Sequence, residues 1–93
     1  MATLHIRHAI TDFDTWAAAF NRFADARRDA GVRAFRVRRP VDDPAYVVID
    51  LDFDTREAAE SFRDFLMTKV WVPGVSPALV GTPETMVLEA AGL

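Results

Sequence analysis

The stretch Ala45-Tyr46-Val47-Val48-Ile49-Asp50-Leu51-Asp52-Phe53 decides the fold. Side chains of a strand alternate between two faces. Val47, Ile49, Leu51 and Phe53 therefore point one way, and Tyr46, Val48, Asp50 and Asp52 the other. The first face is wholly apolar and belongs against a core; the second carries a phenol and two carboxylates. What that second face looks at governs the functional reading.

Upstream, Pro40-Val41-Asp42-Asp43-Pro44 reads as a turn, because prolines and aspartates punctuate regular structure. It joins this strand to another over residues 32–39, with Phe35 and Val37 on one face and Ala34, Arg36 and Arg38 on the other. The two strands form a hairpin. Downstream, Asp54-Thr55-Arg56-Glu57 resembles a capping box, an N-cap acceptor followed three residues later by Glu. The spacing of Ala58, Ala59, Phe62, Phe65, Leu66, Lys69 and Val70 predicts a helix over 55–71. Pro73-Gly74 ends it, residues 72–83 read as a loop, and residues 85–90 as a last strand.

The N-terminal half repeats this order. Residues 3–10 alternate as a strand, Leu4, Ile6, His8 and Ile10 on one face and Thr3, His5, Arg7 and Ala9 on the other. Thr11 and Asp12 are N-cap candidates for a helix over 13–30, whose stripe is Phe13, Trp16, Ala17, Phe20, Phe23 and Ala24. Asp14 near its start and Arg27 and Arg28 near its end suit the helix dipole, and Gly31 stands where a left-handed cap is wanted.

The order β-α-β-β-α-β is the ferredoxin-like split arrangement, an α+β fold. Two helices cover one face of a four-stranded antiparallel sheet in the order 4-1-3-2. The apolar strand faces belong on the helix side: Leu4, Ile6, Phe35, Val37, Val47, Ile49, Leu51, Phe53, with Met86 and Leu88. The outer face then holds His5, Arg7, Arg36, Arg38, Tyr46, Asp50, Asp52, Val87 and Glu89.

Composition narrows the function classes. The 93 residues make one domain, 1–93, with a net charge of −3. Ten arginines and Lys69 are interleaved with acids, which argues against a nucleic-acid binder. The absence of cysteine excludes disulfides, thiolate nucleophiles and Cys-ligated metals. The N-terminal residues lack the pattern of a signal peptide, and no apolar run has the roughly 20 residues of a membrane helix. The expectation is a soluble, cytoplasmic protein with no membrane partner. No phosphate-cradling glycine loop or nucleophile elbow is present.

The element order, the length and the Pro/Gly loop before a short last strand resemble the dimeric α+β barrel superfamily. That group includes antibiotic-biosynthesis monooxygenase-like proteins, stress-responsive barrel proteins and many small uncharacterised bacterial proteins. His5-Ile6-Arg7-His8, the Asp12-Phe13-Asp14-Thr15-Trp16 opening of the first helix and Pro40-Val41-Asp42-Asp43-Pro44-Ala45-Tyr46-Val47-Val48 look most like the last of these. The resemblance implies a homodimer in which the outer sheet face meets its copy and encloses a cavity.

In that cavity His5 and Arg7 would neighbour Asp50 and Asp52. Asp50 or Asp52 would orient His5 as general base, Arg7 or Arg36 would stabilise an enolate or phenolate, and Tyr46 would orient the substrate. Trp71 would pack on the loop, close the cavity mouth or join the dimer contact. The same charges also read as ion pairs that satisfy each other across the sheet. His5 and His8, three residues apart, fall on opposite faces and cannot share a metal, so neither a metal nor a cofactor is expected. Haem-handling relatives use a helical His, which both helices here lack.

Three functions follow. The resemblance implies a cofactor-independent monooxygenase, cyclase or isomerase of small aromatic or polyketide-like molecules. Its better-known oxygenases place Asn and Trp near the substrate, whereas the only Asn here is Asn21. The alternatives are a non-catalytic small-molecule binder and a structural dimerisation module.

Overall fold

A computed structural model describes all 93 residues, Met1–Leu93. The elements are β1 (Ala2–Ile10), α1 (Phe13–Arg22), α2 (Ala24–Asp29), β2 (Ala34–Arg38), β3 (Tyr46–Phe53), α3 (Arg56–Phe65), a π-helical turn (Leu66–Val70) and β4 (Leu79–Glu89). The four strands form one antiparallel sheet in the order β2-β3-β1-β4. The fold is the α+β, ferredoxin-like arrangement expected from the sequence.

The core lies between the sheet and the helices. Leu4 and Ile6 from β1, Val47, Ile49, Leu51 and Phe53 from β3, and Trp16, Ala59, Phe62, Leu66 and Val70 from the helical layer are all buried in it. This is the alternation of β3 made solid: its odd positions carry the apolar load, and Phe53 and Val47 are fully enclosed. The amphipathic stripe of α3 supplies the opposing wall through Phe62, whose ring centroid lies 5.9 Å from that of Phe53.

Local chemistry sets the helix limits. Asp12 caps α1, its Oδ1 accepting from the Thr15 N–H at 2.8 Å. Thr55, not Asp54, caps α3 by accepting from the Ala58 N–H at 3.1 Å. Asp54 instead accepts from Arg33. Gly31 takes φ +96°, the left-handed conformation foreseen for it.

The structure departs from the sequence reading in three places. The first helix is not continuous: it breaks at Phe23 (φ −97°, ψ 16°) into α1 and α2. The second changes winding at Leu66, and the Trp71 N–H reaches back five residues to the Leu66 carbonyl at 2.7 Å. The loop expected over 72–83 is shorter, because β4 begins at Leu79 and carries Gly81 (φ +73°) and Pro83 within it. These two residues occupy an irregularity in the ladder: Arg7 pairs with Glu84 but Ala9 with Val80. A bulge is where a strand tolerates glycine and proline.

That register also reverses the faces assigned to β4. Leu4 pairs with Val87 and His5 with Met86. Val87 therefore packs on the core, and Glu89 shares the helix side, where it meets Arg56. Met86 and Leu88 lie on the outer face and are 47% and 42% exposed. The alternation misled because both faces of β4 contain apolar residues. No helix of the chain is long and apolar enough to cross a membrane.

Candidate functional site

The two faces of the sheet present different chemistry. On the outer face the expected neighbours come together as ion pairs. His5 lies opposite Asp50, and its Nδ1 is 2.8 Å from Asp50 Oδ1. Arg38 donates to the other oxygen of Asp50 at 2.8 Å. Asp52 accepts from Arg36 at 3.0 and 3.3 Å and from the Thr3 hydroxyl at 2.8 Å. Those hydrogen bonds, with the charge of Arg36, hold the Asp52 carboxyl below the usual carboxylate range. Arg7 turns away from both aspartates and pairs with Glu84 on β4, its Nε 2.9 Å from the carboxylate. Tyr46 lies at the end of this face, opposite Ala9 and half-buried.

The cavity of the single chain is on the other face. It occupies about 80 Å³ between the sheet and the helices, lined by Ile6, His8, Ile49 and Leu51 from the sheet and by Trp16, Phe20, Phe23, Arg27, Phe62, Leu66, Val70 and Trp71 from the helical side. On the scale where one water takes roughly 10–15 Å³, this is room for several waters or a small ligand group. Of the residues singled out from sequence, Trp71 reaches this cavity; His5, Arg7, Arg36, Tyr46, Asp50 and Asp52 do not. Trp71 also borders an open groove of about 180 Å³ beside Met67, Gly81 and Pro83, so it stands between the cavity and the surface depression at the β4 bulge.

Three polar side chains line this apolar hollow, none of them a candidate in the sequence: His8, Arg27 and Ser76, whose hydroxyl donates to the Val70 carbonyl. His8 is only 5% exposed. Its Nδ1 is 2.9 Å from the Ala9 carbonyl oxygen. A carbonyl accepts only, so Nδ1 carries the proton, and in the neutral ring Nε2 is the bare nitrogen. Burial pushes the His8 pKa down, outweighing the upward pull of the carbonyl, so the neutral form dominates at pH 7. The imidazole meets the Trp71 indole edge-on, with ring centroids 6.4 Å apart.

Arg27 is 7% exposed, and burial lowers its pKa as well. Its Nη1 donates to the Phe20 carbonyl near the end of α1, which also accepts from the Phe23 N–H at 3.2 Å. Its guanidinium carbon sits 3.6 Å from the centroid of the Phe20 ring.

His8 and Arg27 left a trace in the sequence. His8 interrupts the apolar row Leu4, Ile6, Ile10, and Arg27 falls four residues beyond Phe23 on the stripe of Trp16 and Phe20. A polar residue in line with an apolar face was the available signal. For Arg27 the helix dipole offered a sufficient alternative account. No group of three or more His, Asp or Glu side chains converges anywhere in the chain.

No protein-family model matches this sequence, and no curated protein matches it. Solved structures do. A putative antibiotic biosynthesis monooxygenase from Nitrosomonas europaea superposes with a TM-score of 0.70 at 16% identity, over 98% of this chain and 99% of that one. SnoaB, a cofactor-independent oxygenase from Streptomyces nogalater, gives 0.68 at 19% identity, over 99% and 94%. A NIPSNAP domain protein from Burkholderia xenovorans gives 0.64 at 15% identity, over 99% and 96%. The chain thus has the fold of the antibiotic biosynthesis monooxygenase-like proteins along nearly its whole length.

Proposed function

We propose that the chain is a cofactor-independent enzyme, a monooxygenase, cyclase or isomerase, that removes a proton from a small aromatic or polyketide-like substrate held between sheet and helices. It works as a cytoplasmic homodimer. The observation that carries this reading is His8: a buried neutral imidazole lining an apolar cavity, its tautomer fixed by the Ala9 carbonyl, its Nε2 free of any hydrogen bond within the chain. A base of this kind takes a proton from an acidic C–H or O–H and leaves an enolate or phenolate. The fate of that anion separates the three reactions. Reprotonation at another carbon is isomerisation, and attack on a carbon of the same molecule is cyclisation. Addition to dioxygen, with a proton, gives a hydroperoxide; loss of water from it leaves a carbonyl oxygen in the product. The likeness of the fold to an oxygenase that needs no cofactor supports the last of these.

Oxygen uptake and product analysis with hydroxynaphthalene and quinol substrates test the proposal. The expected result is turnover that falls by about 10²–10⁴-fold in His8→Gln, the usual worth of a general base. Turnover that survives His8→Gln undiminished removes His8 from the mechanism.

A second reading places the base on the outer face, inside a barrel closed by the partner subunit. The 2.8 Å contact of His5 with the buried Asp50 favours it, since a carboxylate can orient an imidazole, Arg38 bonds the same carboxylate and Arg36 lies opposite on β2. In that case His5→Gln abolishes turnover and His8→Gln spares it. A protein that binds such molecules without converting them is instead a binder.

A further inference from the structure

We infer that Arg27 is the docking point for a carboxylate, and that the cavity admits the carboxylate end of a small planar aromatic acid. The inference rests on reading this cavity as the working site, and it adds the class of molecule that enters.

The chain's ion pairs do not include Arg27. That sets it apart from Arg7, Arg28, Arg33, Arg36, Arg38 and Arg56, each of which has a carboxylate within reach. Those six are largely exposed, where an ion pair matters little. The buried one, which needs a counter-charge most, has none of its own. A guanidinium stays protonated even when burial disfavours it, so a cation remains inside the fold, offset within the chain only by the Phe20 carbonyl and the ring faces of Phe20 and Phe35. Its one hydrogen bond within the chain, from Nη1 to the Phe20 carbonyl, leaves the remaining N–H groups no acceptor in the chain, and none of their nitrogens is sealed from solvent. Arg27 lines the cavity, so these donors are open to an occupant.

The shape of that occupant follows from the stack beneath it. The indole of Trp16 and the ring of Phe20 lie 4.9 Å apart with planes 24° from parallel. The guanidinium carbon sits 3.6 Å from the Phe20 centroid and 5.3 Å from that of Phe35, within cation–π range of both. A carboxylate binds a guanidinium in its own plane, through two parallel N–H···O bonds. A ring conjugated with that carboxylate shares the guanidinium plane and presents flat faces to the surrounding aromatic side chains. Aliphatic acids lack these faces, and neutral aromatics leave the cation unpaired.

Benzoate and its neutral isostere benzamide separate charge from shape. Titration of each into the full chain, at fixed ionic strength, is followed by tryptophan fluorescence, for which Trp16 and Trp71 line the site. Benzoate is expected to bind about tenfold or more tighter than benzamide, the worth of a charge-assisted hydrogen bond. In Arg27→Gln that preference disappears. Because Arg27 also ties down the end of α1, side-chain NMR of isotope-labelled arginine in the wild-type protein provides a measurement that needs no variant. The Arg27 Nε–H signal shifts with benzoate and stays in place with benzamide. Equal affinities, no saturable binding of either compound, or an unmoved Arg27 signal overturn the inference. All of these readouts report binding without turnover. A protein that captures benzoate through Arg27 yet converts nothing defeats the enzymatic proposal and leaves this one standing.

Discussion

His5 and His8 lie three residues apart on β1 and are sent to opposite faces of the sheet. His5 meets Asp50 among the outer charges, while His8 is buried beside Trp71 and lines the cavity. One strand thus carries a paired imidazole and an unpaired one, and only the pleat keeps them apart.

The unpaired imidazole makes stability depend on pH in a window of its own. Its folded pKa lies below the ordinary 6.5, so between the two values the unfolded chain binds more protons than the folded one. Stability is then full above pH 6.5 and declines as pH falls toward the depressed folded value. The melting temperature of the wild type should drop over this range, and His8→Gln should flatten the drop. Thermal scans at several pH values check it; identical slopes in the two proteins contradict the assignment. If His8 is the base, the rate of turnover falls in the same direction, as protonation occupies Nε2.

Asp52 acts lower on the scale. Arg36 and Thr3 hold its pKa down, so its contribution is complete above about 3.8 and lost as pH falls through the folded value. Asp52→Asn should cost about 1 kcal/mol at pH 7, the net worth of its hydrogen bonds, and little at pH 2. Urea unfolding at the two pH values measures the difference.

The core sets the largest effect. Phe53 is fully enclosed and faces Phe62. Phe53→Ala should destabilise by about 3–5 kcal/mol, through lost burial and the hole left behind. That is a large share of what a 93-residue domain holds in reserve. Chemical denaturation provides the test, and a loss under 1 kcal/mol would show that the helical layer collapses readily onto the sheet.

Gly81 gives a cleaner backbone test. A β-carbon there meets no atom within 4 Å, yet φ is +73°. Gly81→Ala should therefore cost about 1–2 kcal/mol from conformation alone. Gly81→Asn should cost less, since Asn tolerates positive φ better. Equal stability of all three proteins would mean that the bulge relaxes.

The proposed homodimer predicts a further response. Met86 and Leu88 add apolar surface to the otherwise charged outer face. Leu88→Arg should shift the protein to monomer in sedimentation at micromolar concentration while leaving the circular dichroism spectrum intact. Unchanged sedimentation would move the subunit contact elsewhere.

What could be foreseen divides along physical lines. The alternation of Val47, Ile49, Leu51 and Phe53 and the helix stripes carry the topology, because burial of one face is a strong, periodic demand. That His5 neighbours Asp50 or Asp52 followed from strand order, whereas the choice of Asp50 needed the register. The break at Phe23 had no proline or glycine to announce it. The face of Met86 depended on a bulge a few residues earlier in the same strand, where Gly81 and Pro83 imitate a loop. The candidate site escaped for another reason. Charged residues on β3 drew notice by their number, whereas His8 and Arg27 matter by being solitary in apolar surroundings, which only the packed structure displays.

The π-helical turn bears on how the cavity is walled. Its wider winding accommodates one residue more than an α-helix of the same rise, and each α-helical residue turns the chain by about 100°. Removing a single residue between Leu66 and Val70 would restore regular winding and swing the attachment of Trp71 through that angle, off the imidazole it now touches. The wall between cavity and groove therefore hangs on the one extra residue of this turn, and the register of one helical turn decides whether the hollow is separate from the groove or continuous with it.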